Sequence, residues 1–555
     1  MDILIKIQVF LLDQLVPFVI LLGLLIFVHE LGHFLVAKFC KVRVEVFSLG
    51  FGKKIFQFTK GSTIYCISLI PLGGYVKMFG DDPTSSIPPE ERAVSFSHKN
   101  VFQRIAIVLA GPLMNFAFAI VLFAGVGLNG EKTIGPQLGD IESGSAAARA
   151  GFQAGDKVIR INGQPMSTWK EVKTAIEKSF GQELRFEVER GTYRTDESAT
   201  SQVISVLPQK SKNPDVLQLE EEVYDIEGLS PFSQTSTIGI ANNTSPAFLA
   251  GLRSLDQIVN INNVEIKTWQ DVRGFLQAQQ GLNEFKIRIK REIDDAPEQT
   301  LEFVVPGLAS VDELGIEPSS LYISQLSKDM PAMAAGFRRG DKVLAINDQP
   351  IEKWQQVLET VNSFKAQEGP LKFSLRRDGA DLHLSVVPKE NTIMTEQGQE
   401  ETRHQVGIGP AIFHAVTNPV VFRTPGFFKS LTFGWQQTVD WTKTIVISFY
   451  KMLQNKVSPK NIGGIFTIGQ VASETFKLGL SPYLKIMAVI SINLFIINLL
   501  PIPILDGGHL VFFLLEALRG APLSIKKMEV AQQIGMIILI SLMAFALFND
   551  ISRIW

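Results

Sequence analysis

Val28-His29-Glu30-Leu31-Gly32-His33 lies in the middle of an apolar run from Val16 to Ala37, and the reading of these six residues decides the class of the whole chain. The pattern H-E-x-x-H puts two imidazoles at i and i+4, on one face of a helix and close enough to share a metal ion. The glutamate between them can then act as general base toward a water held by that metal. In a soluble protein two His and one Glu meet by chance fairly often. Here the neighbours are Leu, Ile, Phe and Val, where each ionisable group costs about 2.5–3.5 kcal/mol. Three such groups do not stay there without partners. The motif therefore reads as a zinc site inside a membrane, rather than as a satisfied buried histidine pair.

The composition agrees. Of 555 residues, 46% are hydrophobic and 19% charged, which points to a membrane protein with a large soluble part. A net charge of −2 gives no reason to expect nucleic acid. The two cysteines, Cys40 and Cys66, leave the long middle of the chain without a disulfide framework. The first span needs about 20 residues to cross, and Val16 to Ala37 supplies them. It is too long for a signal peptide and carries the charged motif within it. Residues 38–104 hold ten Lys/Arg against five Asp/Glu, and only Lys6 precedes the span. The positive-inside rule then places 38–104 in the cytoplasm and the N-terminus outside.

Taken in order, residues 1–40 form the first transmembrane helix and 41–104 a cytoplasmic segment. Within that segment Lys54–Thr59 and Ile64–Leu69 are β-prone runs separated by Lys60-Gly61-Ser62, a hairpin pattern apolar enough to dip into the bilayer. Pro71-Leu-Gly-Gly-Tyr75 is expected as a flexible loop. A second span over 105–130 contains a lone Asn115, expected as a bond between helices rather than as part of a site. Residues 133–410 carry an internal repeat anchored at Gly151, Gly251 and Gly336. Each glycine is followed at fixed offsets by Asp (156, 256, 341), Ile-Asn (161–162, 261–262, 346–347), Trp (169, 269, 354) and Val (172, 272, 357). Three small domains result, over 133–230, 231–312 and 313–410. Their phrase Ala-Gly-Phe-x-x-Gly-Asp-x-Val-x-x-Ile-Asn resembles PDZ domains of the bacterial protease type, which accept an extended peptide or C-terminus as an added strand. Ile238-Gly239-Ile240 and Leu314-Gly315-Ile316 are the expected peptide-holding loops. The middle copy departs from the pattern, with Leu255 where the others have Gly155 and Gly340.

Residues 425–455 read as an amphipathic interfacial helix. A third transmembrane region over 484–518 is broken by Pro501 and Pro503, a break tolerated in a membrane only where protein or a cavity satisfies the backbone. A fourth helix spans 530–549. A zinc site with two ligands on one helix needs a third. The membrane part offers Asp506 and His509, and chemistry alone does not choose between them.

HELGH in the first span, Gly111-Pro112-Leu-Met-Asn115-Phe, and Asn498-Leu-Leu-Pro501-Ile-Pro503-Ile-Leu505-Asp506-Gly507 together resemble the site-2 protease family of intramembrane zinc metalloproteases. The resemblance covers nearly the whole chain. It implies a polytopic α-helical membrane protein: four transmembrane helices, a membrane-associated β-hairpin and three inserted α+β PDZ-like domains. It implies Zn2+ on His29, His33 and Asp506, Glu30 as general base, Asn498 near the substrate, and a lesser role for His509. The implied substrates are single-span membrane proteins cut within the bilayer, such as an anti-sigma factor after a first cut or remnant signal peptides. The implied location is the bacterial inner membrane, with the repeats periplasmic and the site towards the cytoplasmic side. Between the second and third spans the repeats suit a size filter or a peptide receptor. Two departures stand out: bacterial members of this pattern have two PDZ copies rather than three, and Gly463-Gly464 replaces a usual Gly-Pro. The rival readings are a metal-ion transporter, for which no inverted membrane repeat is present, and a non-catalytic PDZ scaffold. Neither needs a base such as Glu30 beside the two ligands.

Overall fold

The computed structural model describes residues 15–554 apart from 83–86, 143, 192–199, 214–216, 280–281, 293–296, 309, 366, 368, 395–399, 412–413 and 417–418. The start of the first expected domain, residues 1–14, lies outside them. The chain divides into two compact units. One joins residues up to Glu131 with Asp215–Leu219 and everything from Val421, and the other holds Lys132–Pro214 and Glu220–Val420.

In the first unit, helix α1 runs over Val16–Phe39 and α2 over Val101–Asn129. Five further helices follow: α3 Phe427–Leu453, α4 Ile465–Leu478, α5 Leu480–Asn498, α6 Asp506–Arg519 and α7 Ile525–Ile554. Among the described residues four of these helices, α1, α2, α5 and α7, are long and apolar enough to cross a membrane. The expected third region of 484–518 is therefore two helices, α5 and α6. Pro501 and Pro503 cannot donate to the ladder, and the turn they force is closed by Ile502 N–H on Leu500 O (2.7 Å) and Leu505 N–H on Ile502 O (2.9 Å). The fourth span is longer than 530–549, and α4 is an element the sequence did not suggest. Around α2 the packing is close enough to require glycine. A Cβ at Gly32 would lie 2.3 Å from Ala110 O, and one at Gly434 would lie 2.3 Å from Ile120 O.

Asp550, near the end of α7, is buried and accepts from the backbone N–H groups of Gly464 (2.8 Å), Phe466 (2.9 Å) and Thr467 (3.2 Å). It thereby caps α4 from another helix, meeting donors that a helix start leaves open. A proline at 464 would remove one of those donors.

Strands β1 (Val44–Lys60) and β2 (Thr63–Met78) pair antiparallel. Each bends midway, β1 at Gly50 and Gly52, both at positive φ. Residues 46–49 of β1 consequently pair with 64–67 on one side and 74–77 on the other, while 54–60 pair with 63–68. Residues 71–75, expected as a loop, are part of β2: Gly74 pairs with Leu49 and Tyr75 with Ser48. The glycines there serve close approach rather than a turn, since a Cβ at Gly73 would strike the Phe51 ring at 1.9 Å.

The second unit repeats one construction three times. Three four-stranded antiparallel sheets share the same order, short strand, first strand, third, fourth, built on 157–161, 257–261 and 342–346. Each has its own apolar core. Leu314 and Ile316, assigned to the third copy by sequence, belong to the second core. The fixed offsets acquire physical reasons. The Asn of each Ile-Asn takes a positive φ (49°, 46°, 49°), a conformation Asn tolerates better than most residues. Its Oδ1 accepts a backbone N–H of the third strand at 2.8–2.9 Å. Each repeat Asp is buried and gripped by a guanidinium at the end of that strand: Asp156 by Arg190, Asp256 by Arg291, Asp341 by Arg377. The same guanidinium donates to the anchor glycine's carbonyl at 151, 251 or 336. It is this ion pair, held to the backbone, that the Gly-to-Asp spacing preserves.

The loop expected around Ile238-Gly239-Ile240 is a strand paired with Ile316–Pro318. A Cβ at Gly239 would meet the ring of Tyr322 at 2.2 Å, and the Tyr322 hydroxyl donates its one proton to Glu317 (2.5 Å) with Ile240 O 3.0 Å away. Burial and the neighbouring Glu317 carboxylate push the Tyr322 hydroxyl pKa far above its usual value, so it stays a donor. That edge of the middle copy joins it to the third.

Leu255 occupies the middle copy's left-handed position at φ 75°, where Gly155 and Gly340 have 87° and 86°. Its N–H still donates to Ile238 O at 2.8 Å, so the turn is kept against the side chain's preference. Left-handed strain of about 1–2 kcal/mol exceeds the unfolded-state entropy that a glycine adds, about 0.4–1 kcal/mol. Leu255→Gly is therefore expected to stabilise the second repeat by about 0.5–1 kcal/mol. Slower amide exchange of the Ile258, Ile287 and Ile289 N–H groups in the full-length protein would check it.

Candidate metal centre

The site is assembled where α1, α2 and the start of α6 meet. His29 and His33 are one turn apart on α1, with ring centroids 4.8 Å apart and planes at 84°. Room for them comes from α2: a Cβ at Gly111 would lie 2.2 Å from His33 Nε2 and 2.9 Å from His29 Cε1. The carbonyl of Ile107 accepts from His33 Nδ1 at 2.8 Å, a bond that fixes the tautomer and turns Nε2 inward. Asp506 opens α6 and reaches the same point. Its Oδ2 is 3.2 Å from His29 Nε2 and 3.6 Å from His33 Nε2, and the two Nε2 atoms are 3.2 Å apart.

Asp506 is held there by what surrounds it. A Cβ at Gly507 would lie 2.3 Å from Leu500 O, and one at Gly508 would lie 2.3 Å from Ile502 O. Only glycines let α6 begin this tightly beneath the proline break. At the far end of α6, Glu516 pairs with Arg104 of α2 at 2.5 Å, and that guanidinium lies 4.9 Å from the Phe513 ring centroid. Both charges are largely buried, so the pair ties α6 to α2.

Among the described residues, His29, His33 and Asp506 form the one three-membered cluster able to hold a metal ion. The donor set suits zinc. Four ligands about 2.0–2.2 Å from a tetrahedral centre stand about 3.3–3.6 Å from one another, and the three separations here are 3.2, 3.2 and 3.6 Å. Two imidazoles and one carboxylate would leave a fourth position for water or substrate.

Glu30 projects from the same turn towards β2: a Cβ at Gly74 would come within 3.1 Å of Glu30 Cγ, and the Val76 backbone N–H faces its carboxyl. The segment expected as a loop thus walls the glutamate. Asn498 closes α5 eight residues before Asp506 and is partly buried. Among the described residues it makes no hydrogen bond to the cluster. His509 stands outside the cluster, its ring 6.2 Å from Phe512 and 6.5 Å from Phe513. Of the two residues that the sequence left open, the structure brings Asp506 into the cluster. Sequence reasoning read Asn115 as a bond between helices, and the structure sets its side chain beside His29. It is fully buried, and its amide nitrogen lies 3.3 Å from His29 Nδ1. The available signal was its position one turn after Gly111, on the face that meets the imidazoles.

Comparison with known proteins agrees with this geometry. The profile of peptidase family M50 matches residues 17–542. The chain is 31% identical to Protease RseP of Yersinia pestis over 98% of its own length and 99% of that protein. It is equally similar, at the same coverage, to Regulator of sigma-E protease RseP of Escherichia coli K12. A putative zinc metalloprotease of Vibrio cholerae is 31% identical over 97% of this chain and 98% of its own. Among solved structures, a PDZ domain protein from Parabacteroides distasonis is matched over 50% of this chain with a TM-score of 0.12 and 10% identity, a likeness too weak to bear on the fold. On the family match and the full-length relatives, the chain belongs to peptidase family M50, the site-2 protease family of zinc-dependent intramembrane proteases.

Proposed function

We propose that the protein hydrolyses a peptide bond within the transmembrane segment of single-span membrane proteins, with His29, His33 and Asp506 holding the zinc. The observation that carries this is the convergence of three donor atoms within 3.6 Å beside Glu30, on a helix apolar enough to span a bilayer. Bound zinc would supply a Lewis acid that makes a water acidic near neutral pH and polarises a carbonyl. Glu30 accepts the proton of the attacking water and returns it to the leaving amine. Asn498, at the end of α5, would hydrogen-bond the opened substrate backbone near the scissile bond.

A peptide bond inside a helix is shielded by its own hydrogen bonds, so the substrate must unwind locally. The sheet of β1 and β2 is well suited to dip into the membrane: Ile55, Phe56, Phe58, Leu69 and Ile70 are all exposed. It would offer backbone groups to the unwound strand. The repeats of the second unit, read as PDZ-like domains, would screen or hold the exported part of a substrate. A membrane-bound anti-sigma factor after a first cut suits relatives named for sigma-E regulation, and a remnant signal peptide offers the same kind of single span. The four spans and bacterial relatives suit the inner membrane, with the repeats on the periplasmic side.

The test is reconstitution of the purified protein with a single-span substrate. Cleavage within the span is expected, lost on chelation and restored by zinc. Replacing Gly, Pro and small polar residues of the substrate span with Leu should slow cleavage by about tenfold, the effect of about 1.4 kcal/mol on the barrier. Equal rates across that scan would rule out unwinding as a requirement.

A further inference from the structure

We infer that Asn115 is a positioning residue of the metal centre: its side-chain carbonyl accepts the Nδ1 proton of His29 and so presents Nε2 of that ring to the metal. The inference rests on the zinc reading above and adds a residue to it.

Both imidazoles turn Nε2 towards Asp506, at 3.2 Å from His29 and 3.6 Å from His33. A neutral ring that ligates through Nε2 carries its proton on Nδ1, and the partner of that proton sets tautomer and orientation. For His33 the partner is the Ile107 carbonyl at 2.8 Å. For His29 the group facing Nδ1 is the Asn115 amide, 3.3 Å away. Asn115 is held firmly enough to serve. It is fully buried in the middle of α2, and the Ser491 hydroxyl of α5 donates to its backbone carbonyl at 2.8 Å.

The structure turns the amide nitrogen towards the ring and leaves Oδ1 buried without a hydrogen-bond partner. In that arrangement Nδ1 is an acceptor and the proton sits on Nε2, 3.2 Å from His33 Nε2, where it blocks ligation. The two ends of an amide are alike in shape, so hydrogen-bond chemistry decides which one faces the ring. Exchanging them puts Oδ1 against Nδ1–H and frees Nε2. Either way one end of the amide is unpartnered, so the number of hydrogen bonds does not choose. Ligation by His29 does, because it requires an acceptor at Nδ1.

The competing view makes Asn115 a simple bond between helices, and the two views separate by chemistry. Full-length protein purified in detergent is assayed for zinc content, and for zinc affinity by chelator competition. Wild type is expected to hold one zinc, and Asp506→Ala to lose it; a wild type that binds none overturns the zinc reading and this inference together. With that arm satisfied, Asn115→Ala is expected to weaken zinc about 10–100-fold, while Asn115→Asp, with an acceptor at both positions, stays within about threefold of wild type. Wild-type affinity in Asn115→Ala would overturn the inference. So would an Asn115→Asp protein that loses zinc, since only an amide donor would be missed there. Asp matches Asn in size, so this second variant decides the matter even if the alanine variant does not fold.

Discussion

Glu30→Gln is expected to lower turnover by about 10²–10⁴-fold, the usual contribution of a positioned acid–base group, with zinc content unchanged. The substitution keeps the shape of the side chain and an oxygen to face the Val76 N–H, so the wall formed by β2 at Gly74 should stay in place. It removes only the capacity to take a proton. Glu30 is not placed as a ligand: successive helix positions are rotated by about 100°, which carries it off the line joining His29 and His33. Single-turnover cleavage of a reconstituted substrate, with metal analysis on the same sample, gives both readouts. Near-normal turnover would exclude Glu30 as the base. Loss of zinc together with turnover would make it a ligand.

Asp506→Asn should have an effect as large through a different route. The carboxylate is the one anionic donor beside two imidazoles, and an amide gives a bound dication one partial charge where it had a full one. Zinc affinity is expected to fall by more than about 100-fold, beyond what loss of an outer hydrogen-bond partner causes, and cleavage should vanish. The helix start should survive, because the proline break and the close approaches at Gly507 and Gly508 do not depend on the charge. Retention of full zinc by a His29→Ala, Asp506→Ala double variant would remove the assignment altogether. Raising the zinc concentration separates the two variants: it should restore part of the Asp506→Asn activity and none of that lost by Glu30→Gln.

Much of this architecture is legible in the sequence. Spans are legible because a bilayer imposes length and apolarity residue by residue, and α1, α2 and α5 start within four residues of where hydropathy puts them. The three repeats are legible because offsets within a small domain are fixed by turn geometry. What the offsets serve is not. Arg190, Arg291 and Arg377 come 39, 40 and 41 residues after their glycines, so their spacing drifts with the loops between, and only folding shows that each grips the repeat Asp. Residues 71–75 read as a loop because glycine and proline punctuate turns far more often than they mark a strand pressed against a helix. Asn115 reads as a bond between helices for a related reason: a buried amide in a span looks the same whether it joins two helices or faces a histidine of the cluster.

By itself, then, the sequence determined the class of the protein and brought together two of the three residues of the candidate cluster, because His29 and His33 are one helical turn apart and local geometry suffices. The tertiary structure decided the rest. Asp506 rather than His509, the wall behind Glu30, and Asn115 beside His29 all depend on contacts between segments dozens to hundreds of residues apart. Those contacts are set by which backbones can approach closely, at Gly32, Gly74, Gly111 and Gly507, and nothing in the local pattern around a glycine says which neighbour it will admit.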